Sequence, residues 1–353
     1  MIPKLEVSTA TTANSLLYIE AADTAAFLHL LSEKSPEGMV IVTDEVIAQL
    51  PYYTKAVSGL VSLLKTIILP AGEANKSWQH IEVIIKNLAE MGASRGTVLV
   101  SIGGGVVSDM VGFVAAIYRR GMPFYSIPTT LLAQIDASIG GKNGINMPYA
   151  KNAVGTFYAP KAVMIDIEWL TSLPQREFNA GLAEMVKYGL IADAAFYAKL
   201  EQNVHKLALK EKAFLEKAIL RCCEIKAAVV EADEKEERGV RQILNFGHTL
   251  GHAIEAATQY QQFLHGEAVA VGMVQAARLS HIQGFISAEE LQRIIGLLRH
   301  LGLPTEVPDL SSESLMAFMQ QDKKNERCVT KIVLLEKIGR AAVFSGFSAR
   351  ELL

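Results

Sequence analysis

A chain of 353 residues, half of them apolar and a fifth charged, can bury one large core or two smaller ones, which excludes a disordered or fibrous protein. Its formal net charge of -3 provides no general field for drawing in nucleic acid or anionic lipid, so an anionic ligand must be met by basic groups placed locally. Three cysteines, Cys222, Cys223 and Cys328, make neither a disulfide framework nor a thiolate zinc site. The N-terminal MIPKLEVSTA lacks the basic and apolar regions of a secretory signal. The expectation is a cytoplasmic protein with neither nucleic acid nor membrane as a partner.

In chain order, short β-rich runs alternate with helical patterns. MVIVTD at 39 to 44, KTIILP at 65 to 70, TVLVSI at 97 to 102, PFYSIP at 123 to 128 and AVMIDI at 162 to 167 predict strands. Between two of them, Trp78, Ile81, Ile84, Ile85, Leu88 and Met91 recur at helical spacing, which predicts a helix with one buried face. The apolar run from Val98 to Tyr118 is broken by Gly103, Gly104, Gly105, Ser108 and Asp109, so it predicts buried strand, turn and helix rather than a membrane span. Strand, helix and strand in succession imply a parallel sheet covered by helices. Near Pro174 the pattern changes to long stretches rich in Ala, Glu, Lys and Leu, with EADEKEER at 231 to 238 as a polar turn or helix end and no further strand signal until KIVLLE at 331 to 336. The predicted organisation is an α/β domain with a parallel sheet over 1–174, then a mainly α-helical domain over 175–353.

TVLVSI runs directly into Gly103-Gly104-Gly105 and then the helical VVSDMVGFVAAIY. Glycines let a backbone approach a pyrophosphate closely, and a helix N-terminus presents free N–H groups. This is not the GxGxxG fingerprint, and a triple glycine alone is equally consistent with a tight structural turn. Asp44 ends one predicted strand and the loop AGEANK at 71 to 76 follows another, where ligands sit in parallel sheets. Asp44 suits a ribose hydroxyl, and equally a helix N-cap.

Eight histidines occur in the chain, and three of them gather in NFGHTLGHAIE and LHGEAVAVGM. His248 and His252 are four apart, hence on one helical face, and His265 opens the next helical stretch. Thr249 stands where a zinc protease needs Glu, so that reading fails. A carboxylate ligand must come from elsewhere. Glu184, in the apolar helical stretch GLAEMVKYGLI, is the candidate, because a charge there needs compensation; a buried ion pair with Lys187 would supply it equally.

Taken together, GGGVVSD, the IPTT of Ile127 to Thr130, QIDASIGGKNGIN, LPQREFNAGLAEMVKYG, LNFGHTLGHAIE and HGEAVAVGM resemble the signature segments of the 3-dehydroquinate synthase family, in order, from about Asp44 to the DKKN at Asp322. The resemblance implies conversion of 3-deoxy-arabino-heptulosonate 7-phosphate to 3-dehydroquinate and phosphate in the shikimate route, with bound NAD and zinc or cobalt. It also implies an α/β nucleotide domain followed by a helical metal domain, and a homodimer. By similarity the metal ligands are Glu184, His248 and His265, with His252 a catalytic neighbour. NAD contacts would come from Asp44, Glu73, Lys76, Gly104, Gly105, Asp109, Thr129, Thr130, Leu132, Lys142, Lys151 and Ser172. Substrate contacts would come from Asp136, Lys142, Lys151, Asn152, Lys187, Lys226, Arg241, Asn245 and Lys323, with Arg120 reaching across the dimer. Lysines, arginines and an amide are suitable donors for a substrate carrying a phosphate and a carboxylate.

Three positions depart from the family pattern: Ser108 and Cys328 stand where Gly is common, and Val46 where a polar nucleotide contact is usual. The rivals are a related sugar-phosphate cyclase, an iron-dependent polyol dehydrogenase of the same two-domain plan, and a catalytically dead regulator built on the same fold.

Overall fold

The computed structural model describes residues 5–8, 15–19, 23–147, 150–321 and 331–353. The chain divides into two compact units, residues 1–173 with 226–235, and residues 174–225 with 236–353. The segment 226–235, which includes the last turns of the helix Lys212–Ala232, groups with the first unit.

The first unit carries strands β1 (Leu5–Val7), β2 (Ser15–Tyr18), β3 (Met39–Asp44), β4 (Leu63–Leu69), β5 (Val98–Gly103), β6 (Phe124–Pro128), β7 (Lys142–Met147), β8 (Ala150–Phe157) and β9 (Ala162–Met164). Seven of them form one sheet in the order β1-β2-β9-β6-β5-β3-β4. Only β1 runs antiparallel to its neighbour. Strand alternation puts Val40 and Val42 on one face, packed with the helices Trp78–Glu90 and Gly105–Ile117, and Met39 and Ile41 on the other, packed with Phe27, Leu28, Tyr53 and Trp169. A sheet buried on both faces explains why its strands read as continuous apolar runs.

MVIVTD forms β3 with the expected bounds. AVMIDI stops at Met164, because Asp166 turns to cap the 3-10 segment Ile167–Thr171 by accepting from the Glu168 N–H at 3.0 Å. The antiparallel hairpin of β7 and β8 had no counterpart in the sequence reading; its Lys-, Asn- and Gly-rich strands have low β-propensity and take their form from cross-strand register, Gly144 opposite Gly155.

The second unit is mainly helical, as expected, with one hairpin of β10 (Lys331–Lys337) and β11 (Arg340–Ser345). Its helices begin where local chemistry allows. In Ala288–His300, Ser287 accepts from the Glu290 N–H at 3.1 Å and Glu290 accepts from the Ser287 N–H at 2.8 Å, a reciprocal cap of the kind that stabilises a helix by about 1 kcal/mol. Among the described residues no helix is long and apolar enough to cross a membrane.

Candidate functional site

In the second unit three helices supply the metal-type donors: Glu184 from Gln175–Ala192, His248 from the first turn of His248–Ala257, and His265 from the first turn of His265–Ile282. Glycines let these helices meet backbone to backbone. A Cβ on Gly266 would lie 1.9 Å from the Ala180 carbonyl oxygen, and one on Gly272 would lie 1.9 Å from the Gly247 carbonyl oxygen. No side chain fits at either contact, so the helix of His265 can touch both the helix of Glu184 and the turn before His248.

The result is a convergent set. Donor atoms of Glu184, His248 and His265 lie within 4.8 Å of one another. Glu184 Oε1 is 3.6 Å from Nε2 of each histidine. Each imidazole has its other nitrogen engaged on the outside: His248 Nδ1 lies 3.1 Å from the Phe246 carbonyl oxygen, and His265 Nδ1 lies 3.1 Å from Glu255 Oε2. In each ring Nε2 is the nitrogen turned toward Glu184, and a neutral ring donating outward from Nδ1 would offer its Nε2 lone pair to a cation there.

Glu184 is fully buried and in contact with the buried Lys187 ammonium, so the ion pair foreseen as the alternative to ligation is present, alongside the histidines rather than instead of them. Burial first, and then the Lys187 charge, push His248 down to about 3, leaving the neutral ring that ligation requires. Burial works against a charge on His265 as well, but hydrogen bonds to Glu184 and Glu255 outweigh it and push that imidazole up to about 9. Without a cation, the proton on His265 compensates the carboxylates. Two imidazoles and a carboxylate with outer acceptors fit one divalent ion and leave positions open for substrate oxygens, the arrangement of a catalytic zinc or cobalt site.

His252 lies on the same helical face as His248, ring centroids 5.3 Å apart, and 6.0 Å from the His265 ring. Glu255, passed over in the sequence, follows His248 by seven residues, two helical turns, and was legible on that spacing. His252, Glu255 and His265 form a second potential cluster, but the His265 nitrogen nearest Glu255 is the one already hydrogen-bonded to it.

In the first unit the chain leaves β3 toward β4 on one side and returns to β5 on the other, which creates a crevice at the carboxyl ends of these strands. Asp44 ends β3, the Glu73 turn follows β4, Gly104 caps the helix Gly105–Ile117 after β5, and Thr129 and Thr130 follow β6. The Thr129 N–H donates to the Gly103 carbonyl at 3.0 Å, tying two of these loops together. Asp44 does act as an N-cap, Oδ1 accepting from the Val46 and Ile47 N–H groups at 3.0 and 2.9 Å. Burial nevertheless pushes its carboxyl above the ordinary value, against those two bonds.

Glu73, Lys76, Asp109, Lys151 and Asn152 gather into one network. Lys76 is buried and donates to Asp109 Oδ2 and to Asn152 Oδ1, both at 2.5 Å. Burial raises the Asp109 carboxyl and Lys76 opposes that. Asn146, which sequence reasoning did not single out, links the network: its Nδ2 donates to Glu73 Oε1 at 2.8 Å and its Oδ1 accepts from the Asn152 N–H at 3.0 Å. This holds Asn152 at φ 51°, in the left-handed region. No local pattern marks Asn146, because Glu73 is distant in sequence and Asn152 is reached only across the β7–β8 hairpin. Lys151 Nζ lies 3.8 Å from Glu73 Oε1, and the exposed Lys142 opens β7.

Lys226 donates to Asp136 Oδ1 at 2.6 Å, within the first unit. Arg241 is buried in the 3-10 segment Val240–Asn245, whose last residue, Asn245, is exposed. Ser172 donates to the Trp169 carbonyl at 3.1 Å, and Leu132 leads into the π-helical turn Ala133–Ala137. Arg120 is exposed with φ 62°, at the end of the 3-10 turn Tyr118–Arg120. Of the departures, Ser108 is buried with its hydroxyl donated to the Gly105 carbonyl at 3.0 Å, and Val46 is exposed one residue beyond Glu45. Lys323 and Cys328 lie outside the described residues.

Two family profiles match in tandem, one described as 3-dehydroquinate synthase N-terminal over residues 66–180 and one as 3-dehydroquinate synthase C-terminal over residues 181–325. A 3-dehydroquinate synthase of Pseudoalteromonas translucida is 45% identical over 332 residues, 92% of this chain and 91% of that one. Another from Bordetella pertussis is 49% identical over 307 residues, 86% of this chain and 85% of its own length. Among solved structures, the 2-epi-5-epi-valiolone synthase of Streptomyces hygroscopicus with NAD+ and Zn2+ bound superposes with a TM-score of 0.89 at 26% identity, over 98% of this chain and 96% of that chain. A 2-deoxy-scyllo-inosose synthase complexed with carbaglucose-6-phosphate, NAD+ and Co2+ superposes at 0.83 and 25% identity, over 99% and 98%. A probable glycerol dehydrogenase of Sinorhizobium meliloti shares the fold alone, at 0.65 and 18% identity over 88% and 91%. Profiles and relatives agree with the resemblance carried by the six segments, and the chain belongs to the 3-dehydroquinate synthase family.

Proposed function

We propose that this chain converts 3-deoxy-D-arabino-heptulosonate 7-phosphate to 3-dehydroquinate and phosphate by transient oxidation, phosphate elimination, re-reduction, ring opening and aldol closure. It acts as a carbon-oxygen lyase with NAD and one zinc or cobalt ion. The observation that carries this reading is the convergence of Glu184, His248 and His265 within 4.8 Å, in a chain matched to the family over residues 66–325.

NAD bound to this chain would supply the hydride acceptor and donor for a transient oxidation of a substrate carbinol. The divalent ion, when bound, orients adjacent hydroxyls and makes one of them more acidic. Glu184, His248 and His265 would hold that ion, and the buried Lys187 would balance the Glu184 charge. His252, whose ring lies 5.3 Å from that of His248 and 6.0 Å from that of His265, would move a proton on and off a bound substrate oxygen. Lys142, Lys151, Asn152, Lys226, Arg241, Asn245 and Lys323 would grip the phosphate and carboxylate, with Asp136 setting the position of the Lys226 ammonium. Asp44, Glu73, Lys76, Asp109, the Gly104–Gly105 turn, Thr129, Thr130, Leu132 and Ser172 would receive NAD at the crevice beside β3 and β5. The working unit in this reading is a cytoplasmic homodimer with Arg120 contributed across the interface, and the domains divide the work as 1–174 and 175–353.

Phosphate release from the heptulosonate phosphate, measured with NAD far below substrate, tests the reaction. Many turnovers per NAD, abolished by a chelator and restored by Zn2+ or Co2+ added singly, are expected. Stoichiometric accumulation of NADH without phosphate release would assign the chain to the dehydrogenases.

A further inference from the structure

The two ligand histidines are oriented from outside by different groups. Behind His248 stands a backbone carbonyl, that of Phe246 at 3.1 Å, which no side-chain substitution removes. Behind His265 stands a side chain, Glu255 Oε2 at 3.1 Å from Nδ1. Glu255 is 3% exposed and sits on the helix of His248, two turns along and on the same face. The helix that provides one ligand thus carries the carboxylate that aims the other.

We propose that Glu255 is a positioning residue for the metal site: by accepting from His265 Nδ1–H it selects the tautomer whose Nε2 lone pair faces Glu184, fixes the ring plane, and makes that imidazole the more strongly donating of the two. The physical ground is general. A carboxylate behind a ligating imidazole raises its basicity and restricts its rotation, and loss of such a partner weakens metal binding by about 10- to 100-fold. Of the two histidines, among the described residues, only His265 has this support from a charged group, so the ion would be held asymmetrically, with the His265 bond the one most sensitive to substitution behind it. His265 opens its helix, and its Nδ1 reaches a carboxylate carried by a different helix.

The proposal rests on the reading that Glu184, His248 and His265 bind one divalent ion, and the experiment separates the two. Zn2+ affinity is measured by competition with a chromophoric chelator, and the Co2+ derivative is followed by its d–d absorption, for the wild type, Glu255→Ala, Glu255→Gln and His248→Ala. One ion per wild-type chain, lost in His248→Ala, supports the underlying reading. Glu255→Ala is then expected to bind about 10- to 100-fold more weakly with an altered Co2+ spectrum, and to recover kcat in excess metal. Glu255→Gln keeps an acceptor of the same size and is expected to retain the Co2+ spectrum with a smaller loss of affinity. Should Glu255→Ala fail to fold, weaker binding by Glu255→Gln with the wild-type spectrum supports the proposal, and unchanged affinity in Glu255→Gln overturns it. Wild-type affinity and spectrum in Glu255→Ala overturn it as well. So does a wild-type stoichiometry of two ions that falls to one in Glu255→Ala, which would make Glu255 a ligand. A wild type that binds no ion overturns both.

Discussion

The candidate metal cluster and the crevice proposed for NAD are built on opposite principles. In the second unit the chemistry resides in side chains on continuous helices, buried and brought together by close backbone contact at Gly266 and Gly272. In the first unit it resides in loop backbone beyond the ends of β3, β4, β5 and β6, supported by a hydrogen-bonded network through Lys76, Asp109, Asn146 and Asn152. A divalent ion needs few strong donors at fixed distances, which rigid helices provide. A dinucleotide needs many weak donors along its length, which loops at a sheet edge provide. The two regions should therefore fail separately.

The largest separation is expected from His248→Ala. Losing a ligand removes several kcal/mol of charge stabilisation at the reacting oxygens, roughly a 10³-fold fall in turnover, while NAD affinity by calorimetry stays within a factor of two or so. An equal fall in NAD affinity would show that the two regions are not independent.

Lys76→Met attacks the other region. It strands the Asp109 carboxylate, whose side chain is 19% exposed, and should cost about 3 kcal/mol. Both tryptophans, Trp78 and Trp169, belong to the first unit, so their fluorescence in urea reports on that unit alone. The loss has a pH signature. Burial already raises the Asp109 pKa, and removing Lys76 raises it further. The folded state then binds a proton that the unfolded chain has released above about pH 4, so stability falls as pH rises through the window from the unfolded to the raised folded value. The deficit relative to wild type should shrink at low pH; one that is constant from pH 5 to pH 8 would remove Asp109 from the explanation.

Gly266→Ala is the mildest test. Its Cβ would strike the Ala180 carbonyl, and the helices must part, at a cost of about 2 kcal/mol. Metal affinity should drop while the tryptophan transition is unmoved. Unchanged affinity would mean that the ligand set does not depend on this contact.

Legibility followed the same division. β3 was readable to the residue, because a both-faces-buried strand is a continuous apolar run that ends where polar Asp44 begins. His248 and His252 were readable as one helical face, and Glu255 was available on the same spacing. Asn146 was not readable, since its partners Glu73 and Asn152 meet only when the β7–β8 hairpin lies against the turn after β4, where the Asn146 N–H donates to the Lys76 carbonyl at 2.8 Å. Of the two roles open to Asp44, the N-cap is the one formed within the chain.

By itself the sequence determined the element types, the change of character near Pro174, the family, and which side chains have metal-binding chemistry, because these depend on residue type and on spacing within one helix or strand. The tertiary structure decided that Glu184 meets both histidines at 3.6 Å and that His265 leans on Glu255, while the Lys187 pair follows from spacing within one helix. The contacts to the histidines join different helices, and their distances are set by how closely the backbones can pack, a property no local pattern carries.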